Sequence, residues 1–146
     1  MIPLTEVHRS RSEAETLHIG ELIGRRLHSP CLVLLHGELG AGKTTLTRAL
    51  ALGLGVEDIS IVHSPSFTLV NQYPAKDETI YHVDLYRLEG LSDLYSIGME
   101  EILSREAVII VEWAEKLTVE VERAVTIQIV VDLISEERSI QVDYPD

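Results

Sequence analysis

The chain has 146 residues, 45% of them hydrophobic and 25% charged, which suits one domain, residues 1–146, built on one core. Its 24 acidic and 12 basic side chains leave a formal charge of −12, which argues against direct, tight binding to nucleic-acid phosphates. Cys31 is the single cysteine, so no intrachain disulfide forms; no leader-like start and no apolar run of membrane-spanning length is present, and a cytoplasmic protein without membrane contact is expected.

Ser12-Glu13-Ala14-Glu15 has capping-box spacing, and Leu17, Ile19, Leu22, Ile23 and Leu27 follow as an apolar stripe. This predicts a helix from about Glu13 to Leu27, closed by the Ser29-Pro30 turn. Cys31 to His36 is an apolar run that predicts a buried strand, with Cys31 as a packed thiol. A second helix runs to about Leu54, where Gly53 and Gly55 are expected to stop it. Phe67 to Tyr73 reads as a strand, Pro74 to Asp77 as a turn, and Thr79 to Leu85 as its hairpin partner. Leu91 to Leu103 predicts one or two short helices broken at Gly98. Ala107 to Glu112 is a buried strand of the parallel type. Ala124–Ile134 and Ser139–Tyr144 alternate apolar and polar residues and predict a last hairpin, turned by Ser135-Glu136-Glu137. The alternation of elements implies an α/β sandwich with a mixed sheet, parallel at its centre.

Between the first strand and the second helix lies Gly37-Glu38-Leu39-Gly40-Ala41-Gly42-Lys43-Thr44-Thr45, which fits the phosphate-cradling loop G-x-x-x-x-G-K-[ST]. A buried strand before it and a helix after it supply the context that motif requires. The chemistry is one of backbone and charge. Gly37, Gly40 and Gly42 let successive N–H groups turn inward on anionic oxygens, and the helix adds its positive end. Lys43 supplies charge for the outer phosphates, and the Thr44 hydroxyl can hold Mg²⁺.

Such a loop needs an acid for the metal and a group that places the attacking water. Asp84 and Glu112 each end an apolar strand, at the edge where open α/β sheets bind ligands. The alternative for each is a capping acid, and for Asp84 an ion pair with Arg87. Ser64-Pro65-Ser66-Phe67-Thr68 is either a switch segment whose hydroxyls reach a γ-phosphate and its metal, or an ordinary turn into a strand. Trp113 stacks on a base, anchors a partner or packs in the core. His8, His18, His28, His36, His63 and His82 show no ligand spacing; His63 and His82 adjoin the proposed site, but sequence alone gives neither a catalytic role.

Taken in order, the segments Gly37 to Arg48, Ser64 to Tyr73, His82-Val83-Asp84-Leu85-Tyr86-Arg87-Leu88, Ile97 to Leu103 and Glu112-Trp113-Ala114-Glu115 resemble the TsaE (YjeE) family of small P-loop ATPases. Ser66 stands where that family usually has Thr, and Ala114 replaces a usual Pro. The resemblance implies a P-loop NTPase three-layer sandwich with a mixed, centrally parallel β-sheet. It implies an ATPase that binds ATP with Mg²⁺, hydrolyses it slowly, and acts with the TsaD–TsaB pair in forming threonylcarbamoyladenosine beside the anticodon of ANN-decoding tRNAs. The tRNA would be met only through that complex. The resemblance further implies a nucleotide loop of Gly40, Ala41, Gly42, Lys43, Thr44 and Thr45. Thr44 and Glu112 would be associated with the metal, Asp84 would sit near the metal or the water, and Glu13 near the adenine. Ser66 and Trp113 complete the expected contacts. Two other classes fit the loop: a small-molecule kinase, which needs a lid bearing arginines, and a nucleotide-dependent binding module with incidental hydrolysis.

Overall fold

The capping box at Ser12 forms. Its hydroxyl accepts the Glu15 N–H at 3.1 Å, and the Glu15 carboxylate reaches back to the Arg11 N–H at 2.7 Å. Helix α1 (Glu13–Gly24) follows, ending three residues earlier than the apolar stripe suggests, although Leu27 still packs in the core. The computed structural model describes residues 4–38, 40–65, 69–88, 98–117, 121 and 123–145. The other elements are β1 (Leu4–Ser10), β2 (Cys31–Gly37), α2 (Lys43–Leu54), β3 (Val70–Pro74), β4 (Thr79–Asp84), α3 (Met99–Leu103), β5 (Val108–Glu112), β6 (Val125–Val131) and β7 (Arg138–Tyr144). The remainder of the predicted 91–103 helical segment, and the start of the predicted strand at Phe67, lie outside the described residues.

The strands form one sheet in the order β1-β7-β6-β2-β5-β4-β3. Strands β6, β2, β5 and β4 pair in parallel, whereas β1–β7, β6–β7 and β3–β4 pair antiparallel. The sandwich has three layers. On one face Val33, Leu35, Ile80, Val108, Ile110, Ile127 and Ile140 pack with Ile23, Leu46 and Leu50 of α1 and α2. On the other, Val83, Ile109 and Val111 pack with Met99 of α3, and Leu34 and Ile102 lie against them. Every residue of β5 is buried because both its faces are covered, which is why its sequence is continuously apolar.

Two expectations need correcting. Strand β1 was not predicted. It pairs with β7 from Leu4↔Tyr144 to Ser10↔Arg138, and as an edge strand it is held by main-chain hydrogen bonds that leave little apolar pattern. Gly53 does not stop α2; Gly55 does, in the left-handed conformation with φ 100°. Gly53 lies inside the helix because α1 crosses it: a Cβ there would collide with the Glu21 carbonyl oxygen and sit 2.9 Å from the Arg25 nitrogen. In an open helix, Gly→Ala stabilises by about 1 kcal/mol. Here overpacking reverses the sign, and Gly53→Ala is expected to lose about 1–3 kcal/mol in urea unfolding. A stabilised variant would contradict the close crossing. Cys31, at the start of β2, is partly buried, and burial together with Glu78 pushes its thiol up to about 11, so it is a packed thiol and not a reactive one.

Candidate functional site

Three of the parallel strands end along one edge of the sheet, and their register fixes the site. Leu35 of β2 and Asp84 of β4 both lie opposite Glu112 of β5, so Asp84 and Glu112 are neighbours where β2 passes into the glycine loop. Counting by twos, Ile80, His82 and Asp84 share one face of β4, and Val108, Ile110 and Glu112 share one face of β5. Ile80, Val108 and Ile110 belong to the core under α1 and α2, so both acids stand on the face from which α2 rises.

The loop closes onto that edge. Gly42 caps α2 with φ 102°, which a side chain would resist, and a Cβ there would also press the Arg138 Nε at 3.2 Å. Lys43 is 6% exposed. Its ammonium donates to the Gly37 and Glu38 carbonyls at 2.6 and 3.0 Å, and lies 4.0 Å from the centre of the Trp113 ring. Burial lowers its pKa, while the carboxylates of Glu112, Glu115, Asp84 and Glu38 oppose that shift. Trp113 reaches Lys43 because its backbone is left-handed, φ 57°; the Tyr86 ring packs against it, tilted by 40°, with ring centres 4.9 Å apart. A bulky residue at positive φ is uncommon, and Leu69, φ 65°, lines the same cleft. Backbone strain of this kind gathers at ligand sites.

Gly40, Gly42, Lys43, Thr44, Thr45, Asp84, Glu112 and Trp113 line one cleft of about 490 Å³. Ala41 is buried and contributes its backbone, its carbonyl accepting from Arg138 Nε at 2.8 Å. Glu13 lies outside this cleft, in an adjoining recess of about 100 Å³ that shares Gly42, Thr45 and Arg138 with it. Ser66 lies outside the described residues. The Thr44 hydroxyl faces Glu112 Oε1 at 3.5 Å. Asp84 accepts from the Ser64 hydroxyl at 2.7 Å and the Tyr86 N–H at 2.9 Å.

The Threonylcarbamoyl adenosine biosynthesis protein TsaE family model matches residues 10–140. The tRNA threonylcarbamoyladenosine biosynthesis protein TsaE of Treponema pallidum is 40% identical over 121 residues, which are 82% of this chain and 87% of that one. The protein of the same name from Nostoc is 37% identical over 120 residues, 78% of this chain and 70% of its own. The chain belongs to the TsaE family. The crystal structure of YdiB from Bacillus subtilis superposes with a TM-score of 0.75 at 26% identity, covering 100% of this chain and 89% of that one. The expected P-loop NTPase fold, with its mixed and centrally parallel sheet, is the fold observed.

Sequence reasoning missed Arg138 at this candidate site, and it placed His82 beside the site without a role. Arg138 reaches the loop from β7, an element remote in sequence and outside the motif. His82 is 0% exposed; its Nε2 hydrogen-bonds Glu112 Oε2, and its Nδ1 lies 3.0 Å from the Tyr73 hydroxyl. The available signal was parity: Ile80, His82 and Asp84 share a buried face that leads directly to a candidate acid.

Proposed function

We propose that this chain is a single P-loop ATPase domain, cytoplasmic and Mg²⁺-dependent, that binds and slowly hydrolyses ATP. It supports the TsaD–TsaB threonylcarbamoyl transferase in forming threonylcarbamoyladenosine beside the anticodon of ANN-decoding tRNAs. The observation that carries the ATPase reading is the convergence, in one cleft, of the glycine loop, the Lys43 ammonium and the Thr44–Glu112 oxygen pair. Membership of the TsaE family supports the pathway.

The donor set fits Mg²⁺. That ion takes oxygen ligands, keeps several waters, and is held by one or two protein groups together with substrate phosphates. Thr44 and Glu112 would hold it with Asp84 beside them, and no cluster of three or more carboxylate, histidine or cysteine ligands occurs among the described residues. Bound there, Mg²⁺ would offset charge on the β- and γ-phosphate oxygens. The rest falls to the chain: the loop N–H groups orient the phosphates, Lys43 binds the outer ones, and Asp84 or Glu112 holds the attacking water.

Slow solitary turnover follows from a cleft open on one side. A docked partner would exclude water from the cleft. The face beside the phosphate loop suits such docking. A groove of about 590 Å³ runs from Glu38 past Trp113 to Leu133, and Leu133 and Ile134, 94% and 95% exposed, project from the β6–β7 turn. Asp132 fixes that turn by accepting the Ile134 and Ser135 N–H groups at 2.8 and 3.0 Å. Two exposed branched apolar side chains on a hydrogen-bonded turn are a ready anchor for a protein surface.

The test is a titration of bare tRNA and of TsaD–TsaB into the ATP-loaded protein at matched salt, followed by Trp113 fluorescence and phosphate release. With a formal charge of −12, bare tRNA is expected to bind weakly. TsaD–TsaB is expected to bind only with ATP and to raise turnover several-fold. Tight binding of bare tRNA, or a protein pair that neither binds nor stimulates, refutes the reading. Binding without stimulation would instead identify a nucleotide-dependent module.

A further inference from the structure

We infer that His82 is a positioning residue for Glu112, holding one carboxylate oxygen so that the other faces Thr44; the inference rests on the ATPase reading above. An ionised carboxylate has no hydrogen to give, so the bond between His82 and Glu112 is donated by His82 Nε2. That bond occupies Oε2 and leaves Oε1 towards the Thr44 hydroxyl at 3.5 Å. Glu112 is 3% exposed, so no bulk water can replace the donor. Without it the carboxylate would be left short of a partner and would turn.

The far side of the ring is anchored as well. Nδ1 lies 3.0 Å from the Tyr73 hydroxyl, which is 3.1 Å from the His63 carbonyl oxygen; Asn71 Nδ2 donates to that oxygen and to the Tyr73 hydroxyl, each at 3.2 Å. The residue after His63 is Ser64, whose hydroxyl donates to Asp84 at 2.7 Å. Glu112 and Asp84 are therefore both tied to residues 63 and 64, Glu112 through His82, Tyr73 and Asn71 to the His63 carbonyl, and Asp84 through the Ser64 hydroxyl. Groups that orient a functional ligand from behind commonly change activity or affinity by roughly 10- to 100-fold when removed.

Two amide substitutions separate the two ends of the ring. In His82→Asn the amide falls near Nδ1 and the donor to Glu112 is lost; in His82→Gln an N–H can stand where Nε2 stood. His82→Asn is expected to lower kcat for ATP roughly 10- to 100-fold with little change in KM or in calorimetric ATP affinity, and His82→Gln to recover most of the rate. Imidazole ¹⁵N spectra of the parent, without nucleotide, give a readout independent of activity. They should show one ring, absent from His82→Asn, with its hydrogen on Nε2 and that proton shifted far downfield. Asparagine and glutamine variants that both hydrolyse like the parent, while Glu112→Gln is inactive, would overturn the inference and leave the ATPase reading standing. A parent that does not hydrolyse ATP, alone or with TsaD–TsaB, overturns that reading, and the spectrum then decides the His82–Glu112 bond by itself. Should neither variant fold, the parent spectrum again decides, and a hydrogen on Nδ1 in place of Nε2 would refute the bond.

Discussion

Lys43→Ala is expected to abolish tight ATP binding in a calorimetric titration. The ammonium is nearly buried, makes two charge-assisted hydrogen bonds to the loop, at 2.6 and 3.0 Å, and lines the same cleft as Thr44 and Glu112. Around it stand Glu112, Glu115, Asp84 and Glu38. Removing the cation therefore does more than delete one attraction: it leaves an anionic ligand facing four carboxylates. Hydrogen bonds to a charged group contribute about 1.5–3 kcal/mol each. Losing one at the upper end alone weakens binding roughly 100-fold. Arg138 and Arg87 also line the cleft, but Arg138 is engaged with the Ala41 carbonyl and neither occupies the motif lysine's position. The loss should come without unfolding, since Lys43 stands at the first turn of α2 and alanine favours helix. An affinity near that of the parent would sink the phosphate-loop assignment.

How far the sequence carried this site depends on which forces placed each residue. The glycine loop was legible because its pattern is local: glycines for a left-handed turn, a lysine and a hydroxyl at fixed offsets. Strand β5 was legible because double-sided burial leaves a continuous run of branched residues, and Glu112 stood out as the acid at its end. Strand β1 was not, because an edge strand carrying Thr5, Glu6, His8 and Arg9 is specified by its partner's main chain and not by its own pattern. Trp113 could be named but not placed. Its contact with Lys43 depends on a left-handed backbone at a non-glycine residue, which no propensity predicts. His82 needed the register of three strands. Tyr73 reaches it from β3 and Glu112 from β5, and only the pairing of His82 with Ile110 brings Glu112 two residues further along, within reach of the imidazole.

Glu112→Gln should leave ATP binding measurable while lowering hydrolysis by ~10²-fold or more, as for a group that orients water or metal. The substitution conserves shape, so the effect lies in the polarity of one atom. His82 Nε2 needs an acceptor, and the glutamine carbonyl would turn to it. The amide nitrogen would then face Thr44, presenting two hydrogens where the parent presents a lone pair to metal or water. Asp84→Asn is the decisive comparison. Asp84 accepts from Ser64 and from the Tyr86 N–H, and an asparagine can keep the second bond through its carbonyl while its amide donates to a reoriented Ser64 hydroxyl. That variant should therefore fold normally and report on chemistry alone. Single-turnover hydrolysis, with binding measured separately, distinguishes the two acids. A Glu112→Gln protein that turns over like its parent, beside a slow Asp84→Asn, would pass the role of Glu112 to Asp84. Normal hydrolysis by both would mean that neither strand-end acid acts on the water or the metal, and that the reacting centre lies elsewhere.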